Sequence, residues 1–226
     1  MPPLDSTLQS LVQSAYNRFL RPFLPKKLAV YNGVPIRAVK LLDQQVTFPD
    51  YEKPLIESVR CHANKGDTIV QIGGGRGPST VAAVRAVEPS GHVIVYEGSP
   101  KYISKIKETL HLNNVSEFVD IQLKIVGEDR DVWGKTDNVE IIEPERIPNC
   151  DVLVLDCEGA EQVILPRFNC TPETLIVESH GQLGSPTEDV KQKVEERGYI
   201  IKDISPEVPE EDVYVITAKR KEVDNS

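Results

Sequence analysis

A glycine-rich turn between an apolar strand and a helix constrains the fold more than any other feature of the sequence. Residues 68–72 read TIVQI, residues 73–77 read GGGRG, and Pro78 then opens a helical stretch. Residues without a Cβ adopt left-handed dihedrals at little cost and let other atoms approach the backbone. Proline is favoured in the first turn of a helix. This unit predicts a ligand site at the carboxyl end of a buried parallel strand.

Around this turn, short apolar runs alternate with helical patterns. The apolar runs span 68–72, 92–96, 118–126, 151–155 and 174–177, and the helical patterns span 51–63, 78–87, 99–111 and 186–197, with a short one near residue 159. Strands that are apolar on both faces and separated by helices are typical of a parallel sheet with helices on both sides. Two last runs, 199–201 and 213–216, have no helix between them. We therefore predict an α/β fold with a mostly parallel, doubly wound, Rossmann-like sheet that ends in an antiparallel hairpin.

The N-terminal part of the chain differs from the remainder in charge. Apolar residues repeat at helical spacing over residues 8–19. Residues 1–42 carry six Lys or Arg and one acid, a net +5, which leaves −14 for the rest. We predict a basic N-terminal helical cap over 1–50 and a core domain over 51–226. Within the core domain, the aperiodic segment 127–150 is predicted to be loop with short ordered pieces.

Composition narrows the function classes. A net charge of −9 over 226 residues argues against a general nucleic-acid-binding surface, which needs a basic face. No apolar run approaches the ~20 residues that span a bilayer, and the first residues lack the pattern of a secretory signal. The four cysteines have no metal-binding spacing. These observations predict a cytoplasmic protein with reduced thiols and no structural metal.

The spacing of the glycines discriminates between nucleotide-type ligands. A dinucleotide site needs G-x-G-x-x-G, and Pro78 stands where its last glycine would fall. The glycines instead read G-x-G-x-G, a form associated with S-adenosylmethionine. Glu97 ends the next strand, where a carboxylate can accept hydrogen bonds from both ribose hydroxyls. The predicted cofactor is therefore S-adenosylmethionine, and the residues predicted to bind it are Gln71, Gly73, Gly74, Gly75, Gly77, Glu97, Gly98, Ser99, Gly127 and Asp156.

Three segments resemble the FkbM-type methyltransferases. Residues 66–73 read GDTIVQIG, residues 156–161 read DCEGAE and residues 177–180 read VESH, against the family patterns GDxVxDxG, DxEGxE and ExH. The Tyr-Glu pair at 51–52 also fits the family's lead-in to the first strand. The resemblance covers roughly residues 50–218. It implies a class I methyltransferase fold and methyl transfer from S-adenosylmethionine to a hydroxyl of a sugar or a secondary metabolite.

Gln71 departs from this family pattern. The family, and methyltransferases generally, place an acid here that helps to order the methionine end of the cofactor. An amide can still donate and accept hydrogen bonds. The resemblance therefore implies reshaped cofactor contacts at this position.

Polar residues follow two of the predicted core strands at their carboxyl ends. Asp156 and Glu158 follow the strand at 151–155, and His180 follows the strand at 174–177. A hydroxyl acceptor needs a base near the transferred methyl group, and imidazole titrates near neutral pH. We predict catalytic roles for His180, Asp156 and Glu158, with helix capping or structural hydrogen bonding as the alternative. No metal is predicted. A magnesium ion gathered by carboxylates 156, 158 and 178 is the alternative left open.

Several partners are compatible with the basic N-terminal segment. The predicted substrate is a small-molecule or glycan acceptor, and a lipid-linked acceptor would place this segment on the inner membrane face. The segment could equally hold an anionic substrate, contact a second subunit or pack over the acceptor pocket. An RNA methyltransferase is a rival function, although the net charge disfavours nucleic acid. A non-catalytic binding protein on a methyltransferase fold is a second rival, and an NAD-dependent enzyme is a third.

Overall fold

The computed structural model of the chain describes residues 14–128 and 139–221. The strands are β1 (Lys26–Tyr31), β2 (Val34–Lys40), β3 (Thr47–Phe48), β4 (Thr68–Ile72), β5 (His92–Glu97), β6 (Val119–Val126), β7 (Glu140–Ile142), β8 (Val152–Leu155), β9 (Thr174–Glu178), β10 (Tyr199–Val208) and β11 (Val213–Arg220). The helices are α1 (Lys53–His62), α2 (Pro78–Val87), α3 (Pro100–Leu112), α4 (Glu161–Ile164) and α5 (Thr187–Glu196), with a π-helical turn at Tyr16–Leu20 followed by a 3-10 turn at Arg21–Phe23. Together they form a layered α/β structure.

Eight strands form one twisted sheet in the order β10-β11-β9-β8-β4-β5-β6-β7. The pairs from β9 to β7 are parallel, while β11 pairs antiparallel with both β9 and β10. The chain builds outward from β4 through β5, β6 and β7, and then returns to place β8 on the other side of β4. The direction of winding therefore reverses between β4 and β8, which is where such sheets open a ligand crevice. The predicted mostly parallel sheet with a terminal antiparallel hairpin is confirmed.

The apolar faces of the sheet are covered by two separate clusters. One cluster packs α1, α2 and α3 against one face, with Leu55, Val84 and Ile106 fully buried among them. The other packs α4 and α5 against the opposite face around Phe168 and Val194. Every residue of β8 is buried, as expected for a central parallel strand covered on both sides.

The N-terminal segment differs from its prediction. The residues after the first turns form β1, β2 and β3, a small sheet in the order β2-β1-β3, where the sequence predicted a helical cap. The turn between β1 and β2 is Asn32-Gly33, and both residues have positive φ (45° and 79°). Such a turn matches the twist of a hairpin. Ala29 and Ile36 from this hairpin are buried in the same apolar cluster as the centre of the main sheet.

Parts of two predictions lie outside the described residues. The predicted N-terminal helix spans 8–19, and only 14–19 is described, as the last helical turns before β1. The predicted loop spans 127–150, and 129–138 is outside the description. In the described part of that loop, β7 and a 3-10 turn at Pro144–Arg146 are the short ordered pieces. Within the described ranges, every helix falls short of the length and apolarity that a membrane crossing requires.

Candidate active site

The glycine turn joins three strands because Gly73 has no side chain. Its N–H donates to the Tyr96 carbonyl at 2.9 Å, which ties the turn to β5. The Asp156 N–H donates to the Ile72 carbonyl at 2.9 Å, which ties β8 to the same place. A Cβ on Gly73 would lie 1.7 Å from the Asp156 carbonyl oxygen, and φ is +87°. Any other residue would push β4 and β8 apart at the point where the crevice opens.

Gln71 braces this turn from beneath. Its side chain is buried, with 1% exposed. The amide Nε2 donates to the Gly73 carbonyl at 2.9 Å and to Ser79 Oγ at 3.0 Å, while Oε1 accepts a hydrogen bond from Thr80 Oγ1 at 3.0 Å. Both ends of the amide are therefore engaged by the turn and by α2. Gln71 holds the shape of the turn and does not face the crevice.

Glu97 closes the other side of the turn at the carboxyl end of β5. Its Oε2 accepts the N–H groups of Gly74 and Gly75 at 3.2 and 3.3 Å, and its Oε1 accepts the N–H of Ser99 at 2.8 Å. Burial raises the pKa of Glu97, and these backbone N–H groups oppose the shift. A carboxylate has about four lone-pair sites, and these N–H groups take three of them, so about one site remains for a further donor such as a ribose hydroxyl.

A cavity of about 480 Å³ runs along these strand ends. Its volume lies within the usual range for a cofactor or small-molecule site. Its lining comprises Tyr31, Tyr51, Glu52, Ile72, Gly73, Gly75, Arg76, Tyr96, Glu97, Gly98, Ser99, Tyr102, Lys124, Ile125, Val126, Glu128, Asp156, Cys157, Glu158 and Ala160. Glu97 and Asp156 therefore face one continuous space from opposite sides of the glycine turn.

Beyond Asp156, carboxylates from three elements surround His180. Its Nε2 lies 3.6 Å from Asp156 Oδ1, 3.7 Å from Glu158 Oε2 and 3.9 Å from Glu178 Oε1. Its Nδ1 lies 3.2 Å from Glu161 Oε1, close enough for an ion pair although the ring N–H is poorly aligned for a hydrogen bond. The ring is 7% exposed. His180 is thus a buried imidazole enclosed by acids that follow β8, end β9 and begin α4.

The DCEGAE segment places two of these acids by its backbone conformation. Glu158 has φ +53° and Gly159 has φ +98°, so two consecutive residues are left-handed after β8. A left-handed non-glycine residue is uncommon and is typical of functional sites. Glu161 then begins α4 and turns its Oε1 back to accept the Cys157 N–H at 3.0 Å. This fold-back fixes Glu161 against the ring of His180.

The surrounding acids determine the protonation of His180. Burial alone would lower its pKa, but Glu161, Asp156 and Glu158 outweigh that effect and raise the pKa to about 9. Burial would raise the pKa of Glu161, but the nearby imidazolium of His180 holds that pKa below its ordinary value. The ring is therefore an imidazolium at neutral pH, which makes it a source of positive charge for its neighbours and not a free base.

The pKa values of Asp156 and Glu178 are raised, whereas that of Glu161 is lowered. Burial raises the pKa of Asp156 well above its ordinary value; His180 opposes this, while Glu52 and Glu158 add to it. Burial also raises the pKa of Glu178, with Asp156 and Glu52 adding to the shift. Carboxyls with raised pKa values in a crevice are typical of proton-transfer sites. Asp156 is the one of these two that lines the cavity.

Glu52 is a cavity residue that the sequence did not identify as functional. It precedes α1 in a left-handed conformation, with φ 45°. Its Oε2 is buried without a hydrogen-bond partner among the described residues. Burial raises the pKa of Glu52 to about 7, against hydrogen bonds from Tyr51 and Ser79. The only sequence signal for this residue was its place in the Tyr-Glu lead-in at 51–52.

The residues predicted from sequence divide into those that face the cavity and those that support it. Of the predicted cofactor-binding residues, the ones that line the cavity are Gly73, Gly75, Glu97, Gly98, Ser99 and Asp156. The remaining ones, Gln71, Gly74, Gly77 and Gly127, pack behind it. Among the predicted catalytic residues, Asp156 and Glu158 face the cavity, and His180 lies behind Asp156. Aromatic lining residues such as Tyr51, Tyr96 and Tyr102 were not predicted.

The same cluster contains a group that could hold a metal ion. Ligand atoms of Asp156, Glu158 and His180 all lie within 4.8 Å of one another, and no other such group occurs in residues 14–128 and 139–221. Glu178, which the sequence placed in the alternative magnesium site, is the next carboxylate outward, 3.9 Å from the same ring nitrogen.

A second cavity of about 790 Å³ adjoins the first. Tyr31 and Arg76 line both cavities, so the two meet at these side chains. The second cavity is formed largely by the N-terminal segment, whose contributing residues include Tyr16, Leu42, Gln44, Gln45 and Phe48. Aromatic rings beside amides suit a polar ring-shaped ligand, which offers an apolar face and hydroxyl groups at its edge.

Comparison with solved structures identifies the fold. Similar structures include an S-adenosylmethionine-dependent O-methyltransferase from Thermotoga maritima, with TM-score 0.55 and 16% identity over 89% of this chain and 80% of that one. A methyltransferase from Geobacter sulfurreducens has TM-score 0.52 and 18% identity over 98% and 91%. A ribosomal protein L11 methylase from Lactobacillus delbrueckii subsp. bulgaricus has TM-score 0.53 and 14% identity over 74% and 77%. No protein-family model and no curated protein matches the sequence.

The chain therefore has the Rossmann-like class I methyltransferase fold that the sequence predicted. At these identities the likeness concerns the fold alone. The FkbM-type resemblance stays a prediction, since no family model confirms it.

Proposed function

We propose that the chain is an S-adenosylmethionine-dependent methyltransferase that acts on a hydroxyl oxygen of a sugar or a related small molecule. The observation that carries the proposal is the single cavity that spans from Glu97, across Gly73, to Asp156. The carboxylate of Glu97 for a ribose hydroxyl, the exposed backbone at Gly73 and the proton acceptor Asp156 thereby face one space. The fold is that of the class I methyltransferases.

The side chains present suit this cofactor. Glu97 has about one lone-pair site left for a ribose hydroxyl, and Gly75 leaves open space above the turn because a Cβ there would meet only Glu52 Oε1, at 3.8 Å. Tyr96 and Ile125 offer apolar surface beside Glu97 for a flat base. The carboxylates around Asp156 provide negative charge where a cationic sulfonium is required. Gln71 supports the turn in place of the acid that the family pattern has there.

When bound, the cofactor would supply an electrophilic methyl group whose bond to sulfur breaks as the bond to oxygen forms, leaving S-adenosylhomocysteine. The chain provides orientation and a place for the proton. Asp156, with its raised pKa, accepts the hydroxyl proton of the acceptor as the oxygen forms its bond to carbon. His180 does not line the cavity and acts as a positioning residue that holds Asp156 and stabilises its anionic form. Glu52 is a second buried carboxyl near the same point. Orientation of the reactants contributes the larger part of catalysis in such a displacement.

The acceptor class is proposed from the second cavity and from the family resemblance. The two cavities meet at Tyr31 and Arg76, so a ligand in the second cavity would extend toward Asp156. Its aromatic and amide lining suits a carbohydrate-like ring. Arg76 adds a cation for an acidic substituent on that ring.

Calorimetric titration with S-adenosylhomocysteine tests the cofactor assignment. The wild type should bind it, and Glu97→Ala should weaken binding by roughly 10- to 100-fold, because a hydrogen-bonded charged acceptor is lost. Glu117→Ala is the matched control, since Glu117 is an exposed acid on a 3-10 turn away from the cavity. Folded wild-type protein that does not bind S-adenosylhomocysteine would refute the proposal.

Isotope-labelled methyl transfer tests the acceptor class. The protein is incubated with methyl-labelled S-adenosylmethionine and separate pools of sugars, glycolipids, RNA and small metabolites, and the pools are analysed by mass spectrometry. We expect label on a carbohydrate-containing pool with the wild type and none with Asp156→Asn. Label on RNA alone would contradict the proposed acceptor while leaving the proposed cofactor intact.

A further inference from the structure

The N-terminal part of the structure exposes an unusual amount of apolar surface. Thirteen large hydrophobic residues are exposed in the described part of the chain, and eight of them fall between residues 19 and 46. They are Phe19, Leu20, Phe23, Leu28, Val30, Leu41, Leu42 and Val46. Single exposed apolar residues are normal, but a concentration of them in one segment marks an interaction surface. We call residues 14–46 the N-terminal platform.

The strand pattern shows that this exposure is built into the platform. In β1, Ala29 and Tyr31 are buried, while the alternate residues Leu28 and Val30 face outward and remain apolar. The solvent-facing side of a sheet that is buried on its other side is ordinarily polar. Phe23, at the end of the preceding 3-10 turn, is 84% exposed. The platform therefore presents apolar side chains from both its helical turns and its sheet.

Cations are interleaved with these apolar residues. The platform contains six of them, Arg18, Arg21, Lys26, Lys27, Arg37 and Lys40, and a single acid, Asp43. Across the hairpin, Lys26 lies opposite Lys40, and Leu28 lies opposite Arg37. Asp43 forms an ion pair with Arg21 at 2.8 Å and accepts a hydrogen bond from the Lys40 N–H. The platform is thus cationic on a chain whose net charge is −9.

From this combination we infer that the N-terminal platform docks on an anionic lipid surface. Exposed Phe and Leu side chains enter the boundary between headgroups and acyl chains, while the surrounding Lys and Arg meet lipid phosphates. The acidic remainder of the chain is repelled by the same surface, which favours an orientation in which the platform faces the lipid. Cores of interfaces between protein copies are depleted in charged residues. This surface carries six cations, of which Arg21 and Arg37 are ion-paired with Asp43 and Glu108 among the described residues, so a lipid surface suits it better than a second copy.

Docking in this way would place the second cavity at the membrane. That cavity is lined by the platform residues Tyr16, Arg21 and Leu42 and opens into the first cavity at Tyr31. An acceptor held in the lipid surface would then reach the cavity from the platform side. This last step rests on the proposed function, whereas the lipid docking does not depend on it.

Sedimentation with vesicles tests the docking. The full chain should sediment with vesicles of phosphatidylglycerol mixed with phosphatidylcholine, much less with phosphatidylcholine alone, and less again as salt is raised. Phe19→Ser with Phe23→Ser should reduce binding by at least roughly 10-fold, since two exposed aromatic side chains that insert between lipids are lost. The control, Ile141→Ser with Ile200→Ser, removes two exposed apolar side chains outside the platform and should bind as the wild type does.

Two double variants that each remove two positive charges distinguish lipid docking from nonspecific adsorption. Arg18→Gln with Lys26→Gln should weaken binding about 25-fold, at about fivefold per charge, while Lys65→Gln with Lys202→Gln should change it little. All substituted residues are exposed, and unchanged thermal unfolding confirms that each variant folds. Absence of vesicle binding, or equal effects of platform and control variants, overturns the inference. A wild-type dimer that Phe19→Ser with Phe23→Ser converts to monomer, without vesicle binding, would overturn it in favour of a second copy.

Discussion

His180 Nε2 lies 3.6 Å from Asp156 Oδ1, and this contact joins the ends of two adjacent parallel strands. Asp156 faces the cavity, while His180 is held from behind by Glu161. Burial raises the pKa of Asp156, and the surrounding acids raise the pKa of His180 to about 9, so both groups of the pair bind their protons more tightly than they would in water. A cationic ligand beside Asp156 would change that balance.

We expect S-adenosylmethionine to release a proton on binding that S-adenosylhomocysteine does not. The first ligand carries a sulfonium charge and the second is neutral, so only the first favours the ionised form of Asp156. Calorimetry in buffers of different ionisation enthalpy, between pH 6 and 8, measures the protons released. Asp156→Asn should abolish the difference between the two ligands. Equal proton release for both ligands in the wild type would contradict this prediction.

Replacing His180 should move the ionisation of Asp156, and with it the pH dependence of S-adenosylmethionine binding, to higher pH. His180→Gln removes the positive charge that holds the pKa of Asp156 down, so the pKa of Asp156 rises further. The affinity for S-adenosylmethionine should then require a higher pH to reach its maximum, while the affinity for S-adenosylhomocysteine changes little. His92→Gln is the control because His92 is exposed at the start of β5. A loss of affinity for both ligands without a shift along the pH axis would show that His180 is only structural.

Removal of divalent metal should leave the site unchanged. At neutral pH the imidazolium of His180 already supplies positive charge among Asp156, Glu158 and Glu161. We expect chelator treatment to alter neither the thermal midpoint nor the affinity for S-adenosylhomocysteine, and calorimetric titration with Mn²⁺ to show no stoichiometric binding. Stoichiometric Mn²⁺ binding that Glu158→Gln abolishes would instead identify the cluster as a metal site.

Gln71→Glu should destabilise the protein even though it restores an acid near the family's position. A carboxylate cannot donate to the Gly73 carbonyl, and it would place a charge at a residue that is 1% exposed. Loss of one buried donor costs about 1 to 3 kcal/mol in the free energy of unfolding, and the buried charge adds to this cost. Urea denaturation measures the change. Gln182→Glu is the exposed control and should be near neutral. Equal stability of the two variants would mean that the Gln71 amide is not needed by the turn.

The main sheet could be predicted from sequence because its strands are continuous apolar runs, such as 152–155, separated by helical patterns. The N-terminal hairpin was missed although Asn32-Gly33 is a recognised hairpin turn signal. The outward face of its strands mixes the apolar Leu28 and Val30 with cations such as Lys26 and Arg37, so the alternation of apolar and polar residues that identifies a half-buried strand is weak.

The site was predicted in its parts but not in its arrangement. Glycine spacing and strand ends located Glu97 and Asp156, because both follow directly from chain order. The burial of His180 by Glu161, and with it the loss of its role as a free base, depends on the left-handed turn at Glu158. The position of Glu52 depends on how α1 packs over the sheet. Contacts of this kind arise from tertiary packing, and no local pattern records them.

Glu52→Gln should remove a pH-dependent cost in stability. The pKa of Glu52 rises from an ordinary value of 4.5 to about 7 in the folded chain. Because the folded-state pKa is the higher one, the associated stability is complete below pH 4.5 and is lost as the pH rises through 7. The variant cannot ionise, so relative to the wild type it should gain up to about 3 kcal/mol in the free energy of unfolding between pH 4.5 and pH 8. Urea denaturation at pH 5 and pH 8 measures this gain. Glu57→Gln, on the exposed side of the same helix, is the matched control. If the difference between Glu52→Gln and wild type is the same at both pH values, Glu52 is not the titrating group buried at this cavity.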